Sequence, residues 1–476
     1  MTGDAIPARV FTQADQLAFA HLSGDHNPIH VDEQAARRTQ AGAPVVHGVH
    51  AALWALEQLA AMGHPIEGAT SIRVQFPKFL YLDIDVQLRL ARSSEKAIKV
   101  QLVSGGVITT ILDVKFGPQL AGRASALANV PDAETVDQPR RLSFSAITKG
   151  EGWLSCGNDV DVAARFPELS RSLGAERVRG MVLLSNLVGM ICPGLHSVFS
   201  GYAIDILGDG DHPNGLHWRT SRADDRFHLI TMDIQGLGIA GQVQAFMRAE
   251  PVEAPSVSAL QGTVDAYEFS TRTALVVGGS RGLGAVTAKL LAAGGARVII
   301  TYVVGRSDAE ALVKDIQAAY GADAAAAIRF DVLDEINAQF DCLPRTITHL
   351  YYFATPRIAH QSVQTYSSRR FDVLAAVYVN GFEKFVSWAM GHLLERPRSI
   401  FYPSSVFIEA RPKGMVEYAM AKVAGEVLAA ELASATRVPI LTPRIPRVLT
   451  DQTATMVPFQ SDDPVAVMLP LLRAEP

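Results

Sequence analysis

The feature that most constrains the fold is a run over residues 273–304 in which an apolar strand, a glycine-rich turn, a helix and a second apolar strand follow one another. It reads TALVVGG, SRGLG, AVTAKLLAAGG and ARVIITYVV, one directly after another. Apolar runs bounded by glycine are typical of strands buried on both faces, and a helix between two of them makes the strands parallel. We therefore predict an α/β domain with a Rossmann-type, doubly wound parallel sheet in the C-terminal half.

Length and composition indicate how many domains accompany this one. The sequence has 476 residues, of which 48% are hydrophobic and 19% charged, with a formal net charge of -5. Such a length exceeds what one core usually supports, so two or three domains are expected. The stretches 118–140 and 250–262 are rich in alanine, proline and polar residues without apolar periodicity, which is typical of linkers. We predict domains over residues 1–120, 140–250 and 265–476.

The first two blocks share a pattern that differs from the third. A helical pattern over residues 50–62 precedes the alternating segments SIRVQF, DVQLRLA and AIKVQLV. An apolar helix around residues 178–190 precedes SVFSGYAIDI, HLITMDI and GQVQAFMR. Alternation with a period of two indicates strands with one buried face. Each block is therefore predicted to be an α+β fold, one helix wrapped by an antiparallel sheet, with the second block a copy of the first.

The segment GDHNPIH near the N-terminus brings together Asp25, Asn27 and His30. A carboxylate and an imidazole together can hold a water, take its proton and return a proton to carbon, and histidine titrates near neutrality. Pro28 fixes its own backbone angle and restricts the residue before it, which stiffens this segment. Downstream, Gly48 lies at the start of the predicted helix, where free N–H groups suit a substrate oxygen on which negative charge develops. These residue types favour catalysis over a purely structural role.

From Phe19 the chain reads FAHLSGDHNPIHVDEQAARRTQAGAPVVHG, followed later by SIRVQFPKFL, and here it resembles the MaoC-like or R-specific enoyl hydratase family of hot-dog folds. The resemblance implies that Asp25 and His30 handle water across a double bond next to a thioester carbonyl, with Asn27 assisting. The middle block has no counterpart of GDHNPIH, since Asp159 and Asp161 are not followed by a histidine. We therefore expect a double hot-dog with one dehydratase site per chain and a second, non-catalytic copy that shapes the acyl pocket.

The remaining histidines and the cysteines do not indicate a metal site. His47 is interpreted as structural, and His21, His26 and His50 lack the helical H-x-x-x-H spacing of a metal pair. The 3 cysteines are widely spaced and odd in number, which excludes a disulfide framework and a CxxC site. We expect no bound metal and a reducing, cytoplasmic location.

A second catalytic group lies in the third block. Lys422 follows Tyr418 by one helical turn, where its charge would lower the pKa of a phenol that ordinarily titrates near ~10. With Ser405, Asn380 and the glycine-rich loop, this block resembles the short-chain dehydrogenase/reductase family over about residues 271–450. The resemblance implies hydride transfer between a nicotinamide and a 3-hydroxy or 3-keto group. It implies that Tyr418 exchanges a proton with the substrate and that Ser405 donates a hydrogen bond to the substrate oxygen. It also implies that Asn380 holds a water that leads from the lysine to solvent.

The same resemblance implies where the cofactor binds. Contacts are expected from the glycine-rich loop, the end of the second strand and the segments after the next two strands, in addition to the tyrosine and lysine: Gly278, Ser280, Arg281, Gly282, Leu283, Gly284, Arg306, Ser307, Asp331, Val332 and Ala354. The second strand ends in TYVVGRS, without the acidic residue that favours NAD, and its neighbouring arginines suit a 2′-phosphate, so NADPH is favoured over NADH. Two segments depart from the family pattern, FAT at 353–355 in place of N-A-G and Pro446-Arg447 in place of Pro-Gly.

Both sets of residues suit neighbouring bonds of one substrate. The leading interpretation is a bifunctional enzyme that reduces a 3-oxoacyl thioester and dehydrates the 3-hydroxyacyl product, with the acyl group carried on coenzyme A or an acyl carrier protein. The reverse flow, hydration followed by oxidation, uses the same residues, and a non-catalytic acyl-binding scaffold with a vestigial reductase is the alternative from another class. The near-neutral charge and the lack of a long apolar run argue against nucleic acid and membrane partners, and a homo-oligomer is expected.

Overall fold

A computed structural model of the protein describes residues 7–118, 136–155, 161–208, 210, 212–250, 254–335, 339, 343–356, 358, 366–448, 450 and 461–476. The chain divides into two compact units, one comprising Met1–Glu250 and the other most of the chain from Pro251 onward. This division falls in the second predicted linker. The predicted boundary between the first two domains coincides with residues 119–135, outside the described ranges, and stays a prediction.

The first unit contains a ten-stranded sheet in which every neighbouring pair is antiparallel. Its strands are β1 (Ala8–Val10), β2 (Ala69–Gln75), β3 (Asp85–Ser94), β4 (Ala97–Ser104), β5 (Val107–Phe116), β6 (Glu151–Leu154), β7 (Ser197–Ile206), β8 (Leu216–Asp224), β9 (Leu229–Gly236) and β10 (Ile239–Met247). They lie in the order β1-β3-β4-β5-β2-β7-β10-β9-β8-β6.

This order contains an internal repeat. The first five strands lie as β1-β3-β4-β5-β2, and the last five lie as β6-β8-β9-β10-β7 when the sheet is followed from its other edge. The two halves meet where β2 pairs with β7, with Ile72 opposite Ile204 and Val74 opposite Tyr202. The unit is therefore a double hot-dog, which confirms the fold class predicted for the N-terminal half. Strands β1, β5, β6 and β8 did not figure in the sequence prediction.

Each half carries a helix packed on the sheet. The first central helix, Gly48–Ala61, is buried along most of its length because alanine, leucine and tryptophan occupy nearly every turn. The second central helix, Ala175–Asn186, continues into the π-helical turn Leu187–Ile191. Shorter helices complete the unit: Gln13–Ser23, Pro28–Val31, Glu33–Arg37, Ile66–Gly68 (3-10), Phe144–Ile147, Val162–Arg165 and Pro167–Leu173.

The second unit contains a six-stranded parallel sheet. Its strands are β11 (Thr273–Val277), β12 (Arg297–Tyr302), β13 (Ala325–Arg329), β14 (His349–Tyr352), β15 (Ser399–Phe401) and β17 (Ile440–Leu441), and β16 (Ser404–Ser405) pairs separately with β18 (Arg444–Ile445). The order β13-β12-β11-β14-β15-β17 reverses direction between β11 and β14. This is the doubly wound arrangement predicted from the sequence, and in such sheets a ligand binds at the carboxyl ends of the strands where the order reverses.

Helices cover this sheet: Gly282–Ala293, Arg306–Tyr320, Ser368–Ala375, Phe382–His392, Phe407–Ala410, Val416–Thr436 and Pro464–Arg473, with a π-helical turn at Ala376–Gly381. The stretch 254–262, predicted as part of a linker, instead belongs to this unit. Val257 and Leu260 are buried in its core, with Ser258–Leu260 forming a 3-10 helix, so the apolar residues of this stretch outweigh its polar composition. Over the described ranges, no helix combines the length and the apolar character needed to cross a membrane.

Candidate active sites

Asp25 is buried where the helix Gln13–Ser23 ends. Gly24 terminates that helix in the left-handed conformation, with φ of 69°, and turns the chain into the unit. One carboxylate oxygen of Asp25 accepts the backbone N–H of Asn27 at 3.1 Å, and the other accepts the hydroxyl of Ser185 at 2.7 Å. Burial raises the pKa of Asp25, against smaller lowering effects from His30 and from these hydrogen bonds.

His30 lies on the short helix Pro28–Val31, which begins at a cap formed by Asn27. The Asn27 side chain accepts the N–H of Ile29 at 3.2 Å, and Pro28 occupies the first helical position. The Nδ1 atom of His30 lies 2.8 Å from the carbonyl oxygen of Val45. Because a carbonyl only accepts hydrogen bonds, Nδ1 carries a proton and Nε2 of the neutral ring has a free lone pair. Burial lowers the pKa of His30, although the charge of the nearby Asp25 opposes this.

His47 joins this pair, although the sequence interpretation set it aside as structural. Its ring stacks on that of His30 with centroids 3.8 Å apart. Its Nε2 atom lies 3.0 Å from the carbonyl oxygen of Asp25, and its Nδ1 atom lies 2.9 Å from Oε1 of Gln16. Burial lowers the pKa of His47 well below its usual value. The sequence signal for this residue was its position directly before Gly48, at the start of the helix.

Gly48 is the first residue of the first central helix. Its neighbour His47 occupies the cap position without a side-chain hydrogen bond to the helix, so no side chain caps the first N–H groups there. A Cβ atom on Gly48 would lie 2.9 Å from Cζ of Phe76. A glycine at this position therefore lets an aromatic ring approach the helix start.

Asp25, His30 and His47 also offer three potential metal-ligand atoms within 4.8 Å of one another. The geometry does not suit a shared ion, because the two imidazole rings are stacked and both nitrogens of His47 already contact protein oxygens. Of the histidines considered from the sequence, His21 and His26 lie edge to face at 5.5 Å, and His50 stacks on Phe19 in the core. The donor set is better suited to proton transfer than to metal binding.

The second hot-dog copy contributes to this site through its central helix and the π-helical turn. Besides the Ser185 hydroxyl, it supplies the carbonyl oxygens of Gly189 and Gly194, which accept the Asn27 amide at 2.8 and 3.2 Å. The sequence interpretation missed these residues because they carry no motif. Of the acidic pair noted in this copy, Asp159 lies outside the described residues, and Asp161 caps the helix Val162–Arg165 by accepting the N–H of Ala164.

In the second unit the glycine-rich loop lies at the carboxyl end of β11. Gly278 has a φ of 72°, and a Cβ there would lie 2.7 Å from the carbonyl oxygen of Phe353, which follows β14. A Cβ on Gly284 would lie 2.5 Å from the carbonyl oxygen of Gly278. The helix Gly282–Ala293 begins after Arg281 without a side-chain cap. Such a helix start with close-packed glycines suits a pyrophosphate, so the loop fits a dinucleotide.

The remaining predicted cofactor contacts surround this loop. Arg306 and Ser307 begin the helix Arg306–Tyr320 on the exposed side, and the Arg306 guanidinium pairs with Glu310 at 2.7 Å. Asp331 and Val332 follow β13, and Val332 is buried. Ser280 and Leu283 lie at the glycine-rich loop and the start of its helix, and Ala354 follows β14. The predicted set thus occupies one edge of the sheet, at the carboxyl ends of its strands.

Tyr418 and Lys422 lie on the helix Val416–Thr436, and Ser405 lies on β16. A hydrogen bond joins the Ser405 hydroxyl to Tyr418, and the Nζ atom of Lys422 lies 6.0 Å from the Tyr418 ring centroid. Burial raises the pKa of Tyr418 and outweighs the lowering effect of Ser405, so a lowering of this pKa by the lysine stays a prediction. Burial also lowers the pKa of Lys422 to about 7.

The side chain that faces Lys422 from the π-helical turn Ala376–Gly381 is Tyr378, two residues before the predicted Asn380. Lys422 Nζ lies 4.0 Å from the Tyr378 ring centroid and donates a hydrogen bond to the Pro403 carbonyl at 2.7 Å. The Tyr378 hydroxyl contacts Thr355 Oγ1 at 2.5 Å, within the segment that replaces N-A-G. Asn380 is exposed. The sequence pattern had no means of showing the extra residue that the π-helical turn introduces here.

Comparisons with known proteins agree with these two folds. Residues 2–113 match the family model described as MaoC like domain, and residues 272–440 match that described as short chain dehydrogenase. The chain therefore joins a MaoC-like domain to a short-chain dehydrogenase domain, an oxidoreductase module with a dehydratase module. A search of curated protein sequences found no match.

Solved structures similar to this chain are short-chain dehydrogenases. One is a short chain dehydrogenase from Burkholderia cenocepacia J2315 in complex with NADP, with 25% identity, covering 43% of this chain and 91% of its own, at a TM-score of 0.37. Another is a dehydrogenase/reductase from Sinorhizobium meliloti 1021, with 26% identity, covering 43% of this chain and 90% of its own, at a TM-score of 0.37.

Proposed function

We propose that the protein reduces a 3-oxoacyl thioester to the 3-hydroxyacyl thioester with NADPH and dehydrates that product to the 2-enoyl thioester. The observation that carries the proposal is the pairing of two proton-transfer sites in one chain, Asp25 with His30 and Tyr418 with Ser405, in domains whose families act on neighbouring bonds. The acyl carrier is coenzyme A or an acyl carrier protein. NADPH sets the direction, since reductive pathways use it in preference to NADH.

In the dehydratase site the environment separates the two titrating groups. We assign the carboxyl group as the acid and the imidazole as the base, an assignment favoured by burial, which raises the pKa of Asp25 and lowers that of His30. His30 takes the C2 proton through Nε2 as the C2–H electrons form the double bond. The C3–O bond breaks, and Asp25 gives its proton to the departing hydroxyl, which leaves as water. Transfer of the proton from His30 to Asp25 restores the starting state, and the N–H of Gly48 binds the thioester oxygen.

In the reductase site each residue acts on the substrate carbonyl. When bound, NADPH supplies the hydride that C3 receives. Ser405 donates a hydrogen bond to the carbonyl oxygen, and Tyr418 donates its proton to that oxygen as negative charge develops there. Lys422, held beside the aromatic rings by its bond to the Pro403 carbonyl, provides the positive charge next to Tyr418. Asn380 keeps its predicted role as a water-organising residue, with Tyr378 as the side chain that contacts the lysine.

We further propose that the chain assembles through the helix Val416–Thr436. Its exposed face carries Val416, Met420, Val423 and Val427, which are 38%, 41%, 41% and 67% exposed. Residues spaced four, three and four apart lie on one side of a helix and form a continuous apolar stripe. A second copy of the same helix would cover this stripe and place two reductase sites near one interface.

Two substitutions separate the activities. Tyr418→Phe removes the phenolic proton, so we expect loss of NADPH oxidation with acetoacetyl-CoA while hydration of crotonyl-CoA continues. Asp25→Asn keeps the size of the side chain but removes the carboxyl group that takes the proton of water in this direction, so hydration is lost while NADPH oxidation continues. Loss of one proton-transfer group costs about 10²- to 10⁴-fold in rate. If neither reaction occurs with the native chain across a range of acyl lengths, the proposed function is wrong.

A further inference from the structure

The carboxylate of Asp25 is held by the hot-dog copy that lacks the catalytic motif. The Ser185 hydroxyl lies 2.7 Å from one carboxylate oxygen, and Ser185 is 3% exposed, so the bond is shielded from water. A Cβ atom on Gly189 would lie 2.1 Å from the other oxygen. Only the absence of a side chain at Gly189 leaves room for the carboxylate in this position.

The π-helical turn explains how the helix offers these contacts. The N–H of Cys192 bonds to the carbonyl of Leu187, five residues earlier, and the N–H of Gly194 bonds to the carbonyl of Val188. The Gly189 carbonyl is left to accept the Asn27 amide at 2.8 Å. Single π-helical turns inside α-helices are rare and occur frequently at functional sites.

A further contact fixes the backbone on the other side of the catalytic aspartate. The Asn186 amide donates to the Gly24 carbonyl at 2.8 Å, directly before Asp25. Contacts from the second copy therefore hold the backbone before Asp25, its carboxylate and the side chain of Asn27, over a sequence separation of about 160 residues. A structural filler would not require this set of directed polar contacts on one segment.

We infer that Ser185 is a positioning residue of the dehydratase site, supplied by the second hot-dog copy, which orients the Asp25 carboxyl group and stabilises its ionised form. This inference rests on the proposed dehydratase function. It makes the second copy a required part of the site, because the first copy alone lacks the donor that fixes one carboxyl oxygen. The other titratable groups that face Asp25 are His26, His30 and His47, all from the first copy.

The inference predicts a change in pH dependence as well as in rate. The Ser185 hydrogen bond lowers the pKa of Asp25 by favouring the charged form, so its removal raises that pKa further. For dehydration, in which Asp25 acts as the acid, the fall of kcat/KM at high pH then moves to higher pH. The carboxyl group also loses its fixed orientation, so kcat falls while KM changes little.

The test compares Ser185→Ala with Ser170→Ala for hydration of crotonyl-CoA and dehydration of 3-hydroxybutyryl-CoA. Ser170 lies in the same copy and is similarly buried, but its hydroxyl has no hydrogen-bond partner, so its removal should be silent. Ser185→Ala is expected to lower kcat by about 10- to 100-fold, which corresponds to one hydrogen bond to a charged group, and to shift the high-pH limb. Equal rates and unshifted profiles for the two variants would overturn the inference.

A second comparison keeps the test valid should the alanine variant fold poorly. Ser185→Thr and Ser185→Val have the same shape, but only threonine keeps the hydroxyl, so threonine should retain activity and valine should lose it. Gly189→Ala should also abolish hydration, whereas Gly180→Ala, whose Cβ would meet Ile239 at 3.0 Å and Leu237 at 3.2 Å but not Asp25, should not. Loss of hydration in Asp25→Asn with full activity in Ser185→Val would refute the inference and leave the dehydratase assignment intact.

Discussion

The rings of His30 and His47 stack with centroids 3.8 Å apart and planes 23° from parallel. Because His47 is also held between Gln16 and the Asp25 carbonyl, it fixes the plane in which the His30 ring lies. The orientation of the His30 nitrogen proposed to take the substrate proton therefore depends on a second histidine, which lies at the start of the first central helix.

Replacement of His47 should impair dehydration without affecting reduction. His47→Leu removes both ring contacts and the stacked neighbour of His30, so we expect hydration of crotonyl-CoA to fall by about 10- to 100-fold through loss of orientation. His50→Leu is the matched control. His50 is buried about one helical turn after His47, and neither of its ring nitrogens has a hydrogen-bond partner. We would measure steady-state hydration rates for both variants to test whether His47 orients His30, with NADPH oxidation as a check on folding. Equal activity in the two would show that His47 is only structural.

The pH profile of the dehydration rate should be bell-shaped. Dehydration requires one proton on the Asp25–His30 pair, so activity falls when His30 also becomes protonated and when Asp25 loses its proton. The lowered pKa of His30 moves the acidic limb below its usual position near ~6.5, and the raised pKa of Asp25 moves the basic limb above ~3.9. Burial also lowers the pKa of His47 well below its usual value. A profile of kcat/KM that rises or falls in one direction only contradicts this assignment.

Cofactor preference should depend on Arg281 and Arg306. Replacing both with alanine removes the positive charges predicted to meet the 2′-phosphate, so KM for NADPH should rise by about tenfold or more while KM for NADH changes little. The ion pair of Arg306 with Glu310 competes with that phosphate. Glu310→Gln is therefore expected to lower KM for NADPH. An equal effect of the double substitution on both cofactors would remove the basis for NADPH specificity.

A charge on the apolar stripe of the helix Val416–Thr436 should separate subunits. Val427→Glu places a carboxylate on the most exposed position of the stripe, where pairing with a second copy would bury it at high cost. We expect a smaller assembly by sedimentation velocity, with the fold retained. Ala430→Glu, one turn farther and also exposed, is a graded control on the same face. An unchanged sedimentation coefficient for Val427→Glu would exclude this helix as the interface.

The features that could be predicted from the sequence are those whose residues lie within one short stretch of the chain. The strand, glycine-rich loop and helix around Gly278 and the motif with Asp25 and His30 each lie within a few residues, so their context is visible in one stretch. The contact between Ser185 and Asp25 joins residues about 160 positions apart and leaves no local pattern. The same applies to His47, whose role depends on the distance to His30 and not on a motif.

An irregularity of the backbone explains why the side chain that contacts Lys422 is not the one that the sequence pattern indicated. In a regular helix the spacing of residues predicts which side chain faces a neighbour, but the π-helical turn Ala376–Gly381 changes this spacing. Tyr378 contacts Lys422, whereas the pattern indicated Asn380. The raised pKa of Tyr418 follows from burial, which depends on packing that the spacing of Tyr418 and Lys422 does not contain.

The proposed function requires one chain to carry out both steps on one acyl group. Its most direct test is incubation of the purified native protein with a 3-oxoacyl thioester and NADPH, with the thioesters followed over time by mass spectrometry. We expect a 3-hydroxyacyl thioester to appear first and then to decline as a 2-enoyl thioester forms in equilibrium with it, with NADPH consumed in step with the sum of the two products. An unchanged 3-oxoacyl thioester with no NADPH consumed, at any acyl length tried, would contradict it.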